Sequence, residues 1–310
     1  MSTIIETTNL TKRYKDKLAV SELYLDVEEG EIFGFLGPNG AGKTTTILML
    51  LGLSEPTDGR ASVCGFDPTR QPLEVKRRVG YLPENPGFYD DLSGWENVYY
   101  IAKLNRIPDI EARRRVNRLL EQVGLGEDGQ RLVRQYSRGM KQRLGIAEVL
   151  VKEPRVMILD EPTLGIDPDG AVRILELING LRHEHGLTIL LSTHLLHQVQ
   201  DMCSRIGIIV KGNMIVKGDL SQLSNAIMQG QGINLSVEVS GNANGLQGDL
   251  AALNGVIEAQ PRGRGWFLRC SRDVRPELLS LINQRGLNLL QLRAEELTLE
   301  EIYLKYFREA

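Results

Sequence analysis

The sequence is poor in cysteine and has no long apolar run. Its 310 residues contain three cysteines, Cys64, Cys203 and Cys270, which are odd in number and far apart. This spacing excludes a disulfide framework and a paired metal-ligand motif, and it favours a reducing cytoplasm. Apolar stretches such as residues 47–51 are much shorter than the roughly 18 residues of a membrane-spanning helix. Since the N-terminus also lacks the apolar core of a signal peptide, we expect that the chain does not cross a bilayer by itself.

A marked excess of charge of either sign is also absent. The net charge is -3 and the sequence pI is near 5.9, which gives no general electrostatic reason to bind nucleic acid or anionic lipid. Hydrophobic residues make up 42% of the chain and charged residues 25%, as in an ordinary globular protein. The length allows one large domain with an appendage, or two domains.

Strand and helix patterns alternate along most of the chain, which predicts an α/β fold with a sheet covered by helices. Helical patterns dominate from about residue 93 to 152 and are broken by glycines at residues 124–129, so we expect a helical insertion there. The strand-like runs lie at residues 4–10, 23–27, 31–36, 156–159, 188–192 and 206–210, and the other predicted helices cover residues 43–53 and begin after Pro168 and His194.

A change of composition divides the chain. Ser, Asn, Gln and Gly collect at residues 222–232, and we predict one domain at residues 1–228, with a helical subdomain at about 85–152, and a second at 229–310. The second domain has the pattern β-α-β-β-α-β, which is ferredoxin-like. An apolar stripe at residues 297–307 predicts a terminal helix that docks onto its own protein.

The strongest chemical signal is a glycine-rich turn between a predicted strand and a predicted helix. It satisfies G-x-x-x-x-G-K-[ST], whose backbone N–H groups and helix N-terminus surround phosphates. Lys43 would reach the β- and γ-phosphates of ATP, and the Thr44 hydroxyl would hold Mg²⁺. A dinucleotide site is rejected because the glycines are spaced G-x-x-G-x-x-G. The predicted phosphate-binding residues are Gly37, Pro38, Asn39, Gly40, Ala41, Gly42, Lys43, Thr44 and the adjacent Thr45.

A second signal is an apolar strand that ends in two carboxylates, Asp160 and Glu161. Asp160 can support a Mg²⁺ shell, and Glu161 can polarise the water that attacks the γ-phosphate. Taken alone, the same pattern would equally describe the end of a strand followed by a solvated turn. Its combination with the glycine-rich turn favours catalysis.

Together these motifs resemble the ATP-binding cassette (ABC) family over residues 4–228. The resemblance implies a P-loop NTPase core and identifies Tyr14 as the ring that stacks on adenine, although a surface tyrosine would look the same. It also identifies residues 136–140, YSRGM, as the signature motif, in which Ser137 and Gly139 contact the γ-phosphate held by the opposite subunit. The usual motif is LSGGQ, so three of five positions differ. Ser137 alone would be an ordinary helix N-cap.

Three further residues match family loops. Glu84 lies where many members have a glutamine that meets Mg²⁺ through water, Asp167 lies in the loop that crosses the dimer interface, and His194 lies where a histidine senses the γ-phosphate and orients Glu161. Each has a plainer interpretation: Glu84 as a loop carboxylate, Asp167 as a helix N-cap before Pro168, and His194 as a structural histidine.

The resemblance therefore implies an ATPase that uses ATP and Mg²⁺, with Lys43, Glu84, Glu161 and His194 as its catalytic set. It would pair head to tail with a second copy or a related ATPase subunit and drive a separate multi-span membrane permease. The YSRGM run resembles a subgroup with ABC-2 type permeases, usually exporters, so we expect a peripheral position on the cytoplasmic face. No nucleic acid partner is expected. The alternative is a soluble ABC ATPase acting on nucleic acid or ribosomes.

Overall fold

The computed structural model describes residues 2–195, 202–219, 233–241, 243 and 245–295. The chain divides into two compact units, Met1–Gly218 and Asp219–Ala310. The predicted boundary segment at residues 222–232, most of the predicted helix after His194 and the predicted terminal helix lie outside the described residues. No helix in the described part of the chain is long and apolar enough to span a bilayer.

The first unit contains two sheets. In chain order the strands of this unit are β1 (Thr3–Tyr14), β2 (Lys17–Leu23), β3 (Asp26–Glu28), β4 (Ile32–Leu36), β5 (Asp58–Val63), β6 (Val79–Leu82), β7 (Val156–Asp160), β8 (Thr188–Thr193), β9 (Arg205–Val210) and β10 (Asn213–Gly218). A six-stranded sheet has the order β10-β9-β4-β8-β7-β6, in which all neighbours are parallel except β9 and β10. The second sheet joins β1 to β2, β3 and β5 in antiparallel pairs.

The central strands follow from their sequence. Every residue of β4, β7 and β8 is buried, as expected for parallel strands that are covered on both faces. The helices of this unit are α1 (Lys43–Leu50), α2 (Pro72–Arg78), α3 (Gly94–Leu104), α4 (Asp109–Gln122), α5 (Arg138–Leu150) and α6 (Pro168–His185).

Helix boundaries are set by local chemistry. Ser93 and Glu96 form a capping box at the start of α3, and Asp167 caps α6 with Pro168 in its first turn. α6 ends at Gly186, which has a φ of 61°, a conformation that glycine adopts without steric cost. Helices α3, α4 and α5 supply the predicted helical insertion.

The prediction of one strand was wrong. Residues 23–27 were predicted as a single strand, whereas β2 ends at Leu23 and β3 begins at Asp26. Between them Leu25 donates its N–H to Thr7 Oγ1, and Thr7 donates its N–H to Leu25 O. The side chain of Thr7 therefore takes part in a local pattern that interrupts regular strand pairing.

The second unit has the predicted β-α-β-β-α-β order. Its strands pair antiparallel in the order β12-β13-β11-β14, and a separate core includes Leu235, Leu250, Leu268 and Leu278. Its elements are β11 (Ile233–Ser240), α7 (Leu246–Ala252), β12 (Val256–Arg262), β13 (Gly265–Cys270), α8 (Arg275–Gln284) and β14 (Asn288–Glu295).

Candidate functional site

The glycine-rich turn connects β4 to α1 and packs where side chains do not fit. A Cβ added to Gly37 would lie 2.3 Å from the carbonyl oxygen of Ile209, and one added to Gly42 would lie 2.6 Å from that of Ala19. Gly42 also has a φ of 109°, which favours glycine strongly. The backbone is therefore held in the close turn that precedes the N-terminus of α1, whose N–H groups attract anions.

Lys43 is a buried cation at the centre of the site. Its side chain is 6% exposed, and its Nζ lies 3.3 Å from Glu161 Oε1, whose side chain is equally buried. Nζ also donates to the carbonyl oxygens of Gly37 at 2.6 Å and Pro38 at 3.3 Å. A charge this deeply buried needs such partners, since an unpaired one is costly. The lysine and the carboxylate that sequence analysis predicted thus lie in direct contact.

Asp160 is fixed by two hydroxyl groups. Thr44 Oγ1 donates to Oδ2 at 2.9 Å, and Ser192 Oγ donates to Oδ1 at 2.8 Å. Burial raises the pKa of Asp160, while the hydrogen bonds from Ser192 and Thr44 act in the opposite direction. The Thr44 hydroxyl and the carboxylates of Asp160 and Glu84 supply oxygen donors around one cleft, and oxygen is the ligand atom that Mg²⁺ prefers. This donor set fits the Mg²⁺ ion that sequence analysis predicts.

Glu161 is held from several sides. Thr193 Oγ1 donates to Oε2 at 3.1 Å, and His194 Nδ1 lies 2.9 Å from the same oxygen. Since a carboxylate only accepts, Nδ1 carries the proton in this contact. Glu161 has a φ of 50°, an uncommon backbone conformation that tends to occur at functional sites. Because β7 and β8 are parallel neighbours with Asp160 opposite Ser192, the two strand ends meet at one edge of the sheet.

A cleft of about 290 Å³ is lined by Lys43, Asp160 and Glu161, whereas His194 contacts Glu161 without lining the cleft. Gly37 and Ala41 belong to the turn but do not line the cleft, and Lys17 and Ala19 line it although sequence analysis did not identify them. Tyr14, the predicted adenine contact, is 46% exposed. The lining residues are Tyr14, Lys17, Ala19, Pro38, Asn39, Gly40, Gly42, Lys43, Thr44, Thr45, Glu84, Asp160 and Glu161.

Ser192 and Thr193 were also not assigned roles by sequence analysis. Both end a buried strand and directly precede His194, and the Ser192 hydroxyl binds Asp160 while the Thr193 hydroxyl binds Glu161. Their position in the sequence could have identified them. They end a strand that pairs in parallel with β7, which places Ser192 opposite Asp160.

Ser137, Gly139 and Asp167 do not line the cleft of their own chain. Ser137 Oγ accepts from the N–H of Met140 at 3.2 Å, and Asp167 Oδ2 accepts from the N–H of Gly170 at 3.0 Å, so both serve as helix N-caps.

The YSRGM run contacts the loop before α6. A Cβ added to Gly165 would lie 2.5 Å from Nη1 of Arg138, and one added to Gly139 would lie 3.7 Å from Cγ2 of Ile166. Arg138, one of the departures from the family motif, therefore packs its guanidinium group directly on Gly165. The start of α5 and the loop that holds Asp167 thus form a second cluster.

Comparison with known proteins identifies the first unit. Residues 20–164 match the family model described as ABC transporter, which includes the glycine-rich turn, Asp160 and Glu161 but ends before His194. A solved structure of an ATP-binding subunit of an ABC transporter is 32% identical, with a TM-score of 0.66, and covers 73% of this chain and 93% of its own. The solved structure of CbiO1 from Clostridium perfringens, part of the ABC transporter complex cbiONQ, is 27% identical, with a TM-score of 0.67, and covers 74% of this chain and 96% of its own.

Two curated relatives extend the match. The bacitracin transport ATP-binding protein BcrA of Bacillus licheniformis is 45% identical over 215 residues, which is 69% of each chain. The linearmycin resistance ATP-binding protein LnrL of Bacillus subtilis is 32% identical over 305 residues, which is 97% of each chain. Together with the cleft, these matches show that the chain belongs to the ABC transporter family, as an ATP-binding subunit that hydrolyses ATP.

Proposed function

We propose that the chain drives a multi-span permease of the ABC-2 exporter type from the cytoplasmic face of a membrane. The main support is the match to the linearmycin resistance protein over 97% of both chains, because resistance to a compound is a natural outcome of its export. The YSRGM run, which resembles the same subgroup, adds to this support.

The contacts in the cleft suggest a role for each residue. The glycine-rich turn, Lys43 and Thr45 hold the phosphates, and Tyr14 stacks on adenine. Thr44, Asp160 and Glu84, which line the cleft, would hold Mg²⁺, and the bound ion would neutralise phosphate charge.

The chemical step depends on Glu161 and His194. Glu161 orients the attacking water, and the His194 imidazole, 2.9 Å away, keeps that carboxylate in position. Catalysis is then mainly positioning and charge neutralisation.

The cluster formed by Ser137, Gly139 and Asp167 acts on a second subunit in this scheme. These residues do not line their own cleft, and a head-to-tail pair would bring them to the nucleotide of the partner, whether a second copy or a related ATPase. Arg138 would hold the loop that carries Asp167 in place through its contact with Gly165.

The division into an ATPase domain at residues 1–228 and an accessory domain at 229–310 is also part of this proposal. The separate core of the second unit supports it. We infer that the accessory domain aids assembly or buttresses the motor. A chain truncated after Gly232 should assemble less well or hydrolyse ATP more slowly, and unchanged assembly and activity would refute this role.

Purification of the Glu161→Gln variant from gently solubilised native membranes, with and without ATP, tests the function. We expect an accompanying multi-span membrane protein, whose identity would also indicate the cargo. Recovery of ribosomes or DNA-associated factors instead would preserve the ATPase chemistry and refute the transport role.

A further inference from the structure

One positive side chain of the nucleotide cleft belongs to none of the motifs that hold the phosphates. Among the residues that the structure describes, the cations that line the cleft are Lys17 and Lys43, and the carboxylates are Glu84, Asp160 and Glu161. A nucleotide carries several negative charges, so each cation in the cleft affects how tightly it binds. Lys43 belongs to the glycine-rich turn, whereas Lys17 lies on β2, outside that turn.

The charge of Lys43 is already engaged by its own chain. Its Nζ lies 3.3 Å from Glu161 Oε1 and donates to the carbonyl oxygens of Gly37 and Pro38. An ammonium group has three protons, so these three contacts can use all of them. The carboxylates that line the cleft therefore outnumber the cations, and one of the two cations is paired internally.

The ammonium group of Lys17 is not engaged in this way. Lys17 is exposed, and it has no hydrogen bond or ion pair in the part of the chain that the structure describes. The nearby Lys12 differs, because it donates its Nζ to the carbonyl oxygen of Glu55 at 2.5 Å and lies 5.0 Å from the ring centroid of Tyr14. Lys17 is therefore the cation of the cleft that is available to a ligand.

The β1–β2 hairpin places Lys17 beside the predicted adenine contact. Tyr14 and Lys17 are paired at the end of the hairpin next to its turn, and both line the cleft. Residues directly opposite in an antiparallel pair have Cβ atoms about 5 Å apart and share one face of the sheet. The side chain of Lys17 thus begins next to the ring on which adenine stacks in the proposed function.

The next part of β2 is packed against the glycine-rich turn. A Cβ added to Gly42 would lie 2.6 Å from the carbonyl oxygen of Ala19 and 3.3 Å from Cγ2 of Val20. Ala19 also lines the cleft, and it follows Lys17 by two residues, or about 7 Å of strand. Lys17 therefore lies between the ring of Tyr14 and the turn that surrounds the phosphates.

We infer that Lys17 is a second phosphate-binding cation of the cleft, whose Nζ pairs with the α-phosphate of the nucleotide. The inference rests on the proposed stacking of adenine on Tyr14. With adenine there and the terminal phosphates at Lys43, the ribose and the α-phosphate are the groups that lie between. The α-phosphate is the charged one, and an ammonium group binds an anion more strongly than a neutral hydroxyl.

This position makes Lys17 a residue that sets affinity and leaves the chemical step alone. The α-phosphate is common to ADP and ATP, and its charge does not change when the γ-phosphate is transferred. A contact that is equally strong in the bound substrate and in the transition state lowers KM without raising kcat. Lys17 should therefore differ from Glu161 and His194, which act on the chemical step.

The first test is titration of the full chain with ATP and with ADP in Mg²⁺. Lys17→Met should weaken both nucleotides by the same factor, about tenfold, and raise KM for ATP to a similar extent with kcat within about twofold of wild type. Lys17→Arg should restore the affinity, because a guanidinium group also binds phosphate. The matched control is Lys15→Met, which changes an exposed lysine in the turn of the same hairpin that does not line the cleft and should have no effect.

The second test is the salt dependence of that difference. Lys17 is exposed, so salt should screen its attraction for the α-phosphate. The ratio of wild-type to Lys17→Met affinity should fall when NaCl is raised from about 0.05 M to about 0.5 M. A ratio that stays constant would indicate a distorted hairpin in the variant and would overturn the inference.

The pattern across nucleotides and variants separates the inference from the function on which it rests. Unchanged affinity of Lys17→Met, or a loss confined to ATP, would overturn the inference, because the second result places the contact at the γ-phosphate. If Tyr14→Ala weakens both nucleotides in the same titrations, the proposed role of Tyr14 stands without Lys17. Unchanged affinity of Tyr14→Ala would refute the stacking and, with it, the placement of Lys17 at the α-phosphate.

Discussion

Glu161 and Glu148 are two carboxyl groups of the first unit that are shielded from solvent but have opposite surroundings. Glu161 meets Lys43, Thr193 and His194 within 3.3 Å, whereas Glu148 meets no hydrogen-bonding or charged partner among the described residues. A carboxyl that is satisfied inside its own chain indicates a site that the chain largely builds by itself. The carboxyl group of Glu148 lacks such partners, so burial alone acts on its pKa and disfavours its charged form.

The secondary-structure elements that carry the two groups account for this difference. Glu161 lies at a strand end where β7 and β8 deliver their side chains to one edge, so its partners come from the fold itself. Glu148 lies in the last turn of α5 with apolar neighbours. Variants that remove the partners of Glu161, or that replace Glu148 by a neutral residue, test this difference.

Removal of the cation should have the largest effect. Lys43→Met turns Glu161 into a buried carboxylate without its positive partner, which should destabilise the first unit by about 3 kcal/mol. Loss of phosphate stabilisation should also lower kcat/KM for ATP by about 1000-fold. Urea unfolding and steady-state phosphate release measure both. Lys103→Met, which changes an exposed lysine on α3, is the control, and equal behaviour of the two variants would contradict the assignment of Lys43.

Loss of the His194 imidazole should have the next largest effect. His194→Ala leaves Glu161 paired with Lys43 but without the ring that orients it, and we expect a fall in kcat of about 100-fold with little change in KM. The comparison variant is His183→Ala, since His183 is exposed near the end of α6. A variant with normal kcat would leave His194 a structural role only.

A smaller effect is expected at Ser192. Ser192→Ala removes the hydrogen bond to Asp160 Oδ1, which should cost about 1 kcal/mol of stability. That hydrogen bond lowers the pKa of Asp160, so its loss raises the pKa, and the acidic limb of the ATPase pH profile should move to higher pH. Ser62→Ala, on β5, is the matched control. An unmoved acidic limb would show that Asp160 does not govern it.

The pH dependence of stability should reveal the unpaired state of the Glu148 carboxyl. The pKa of Glu148 is about 8 in the folded chain and about 4.3 in an unfolded one. The folded state therefore binds the extra proton between these values, so the contribution of Glu148 to stability is greatest below pH 4 and declines as pH rises toward 8. Glu148→Gln should flatten this part of the curve in urea unfolding at pH 5, 6.5 and 8, and an unchanged slope would contradict the unpaired state.

The sequence predicted the nucleotide cleft better than the fold around it. The glycine-rich turn, Asp160 and Glu161 carry local signals, and the end of β8 next to β7 places His194 beside them by the geometry of parallel strands alone. Their contacts in the structure agree with the predicted spatial grouping. The catalytic roles remain predictions that the variants test.

The features that sequence analysis did not predict have weak local patterns or depend on contacts between residues far apart in the sequence. β5 has the sequence DGRASV and is mostly exposed or half-buried, and β6 is four residues long with a glycine, so neither has a distinctive pattern. Lys17 and Ala19 reach the cleft only because β2 lies beside the turn. The cavity lined by Glu148 depends on the packing of α5 against β6, which periodicity along one helix cannot reveal.

The central claim is that Glu161, held by Lys43 and His194, makes this chain an ATPase rather than only an ATP-binding protein. Single-turnover phosphate release from bound ATP in Mg²⁺, compared for wild type, Glu161→Gln and the exposed-site control Glu176→Gln, tests it most directly. We expect Glu161→Gln to bind ATP as wild type does but to release phosphate at least about 100-fold more slowly, with the control unchanged. Phosphate release at the wild-type rate from Glu161→Gln would contradict it.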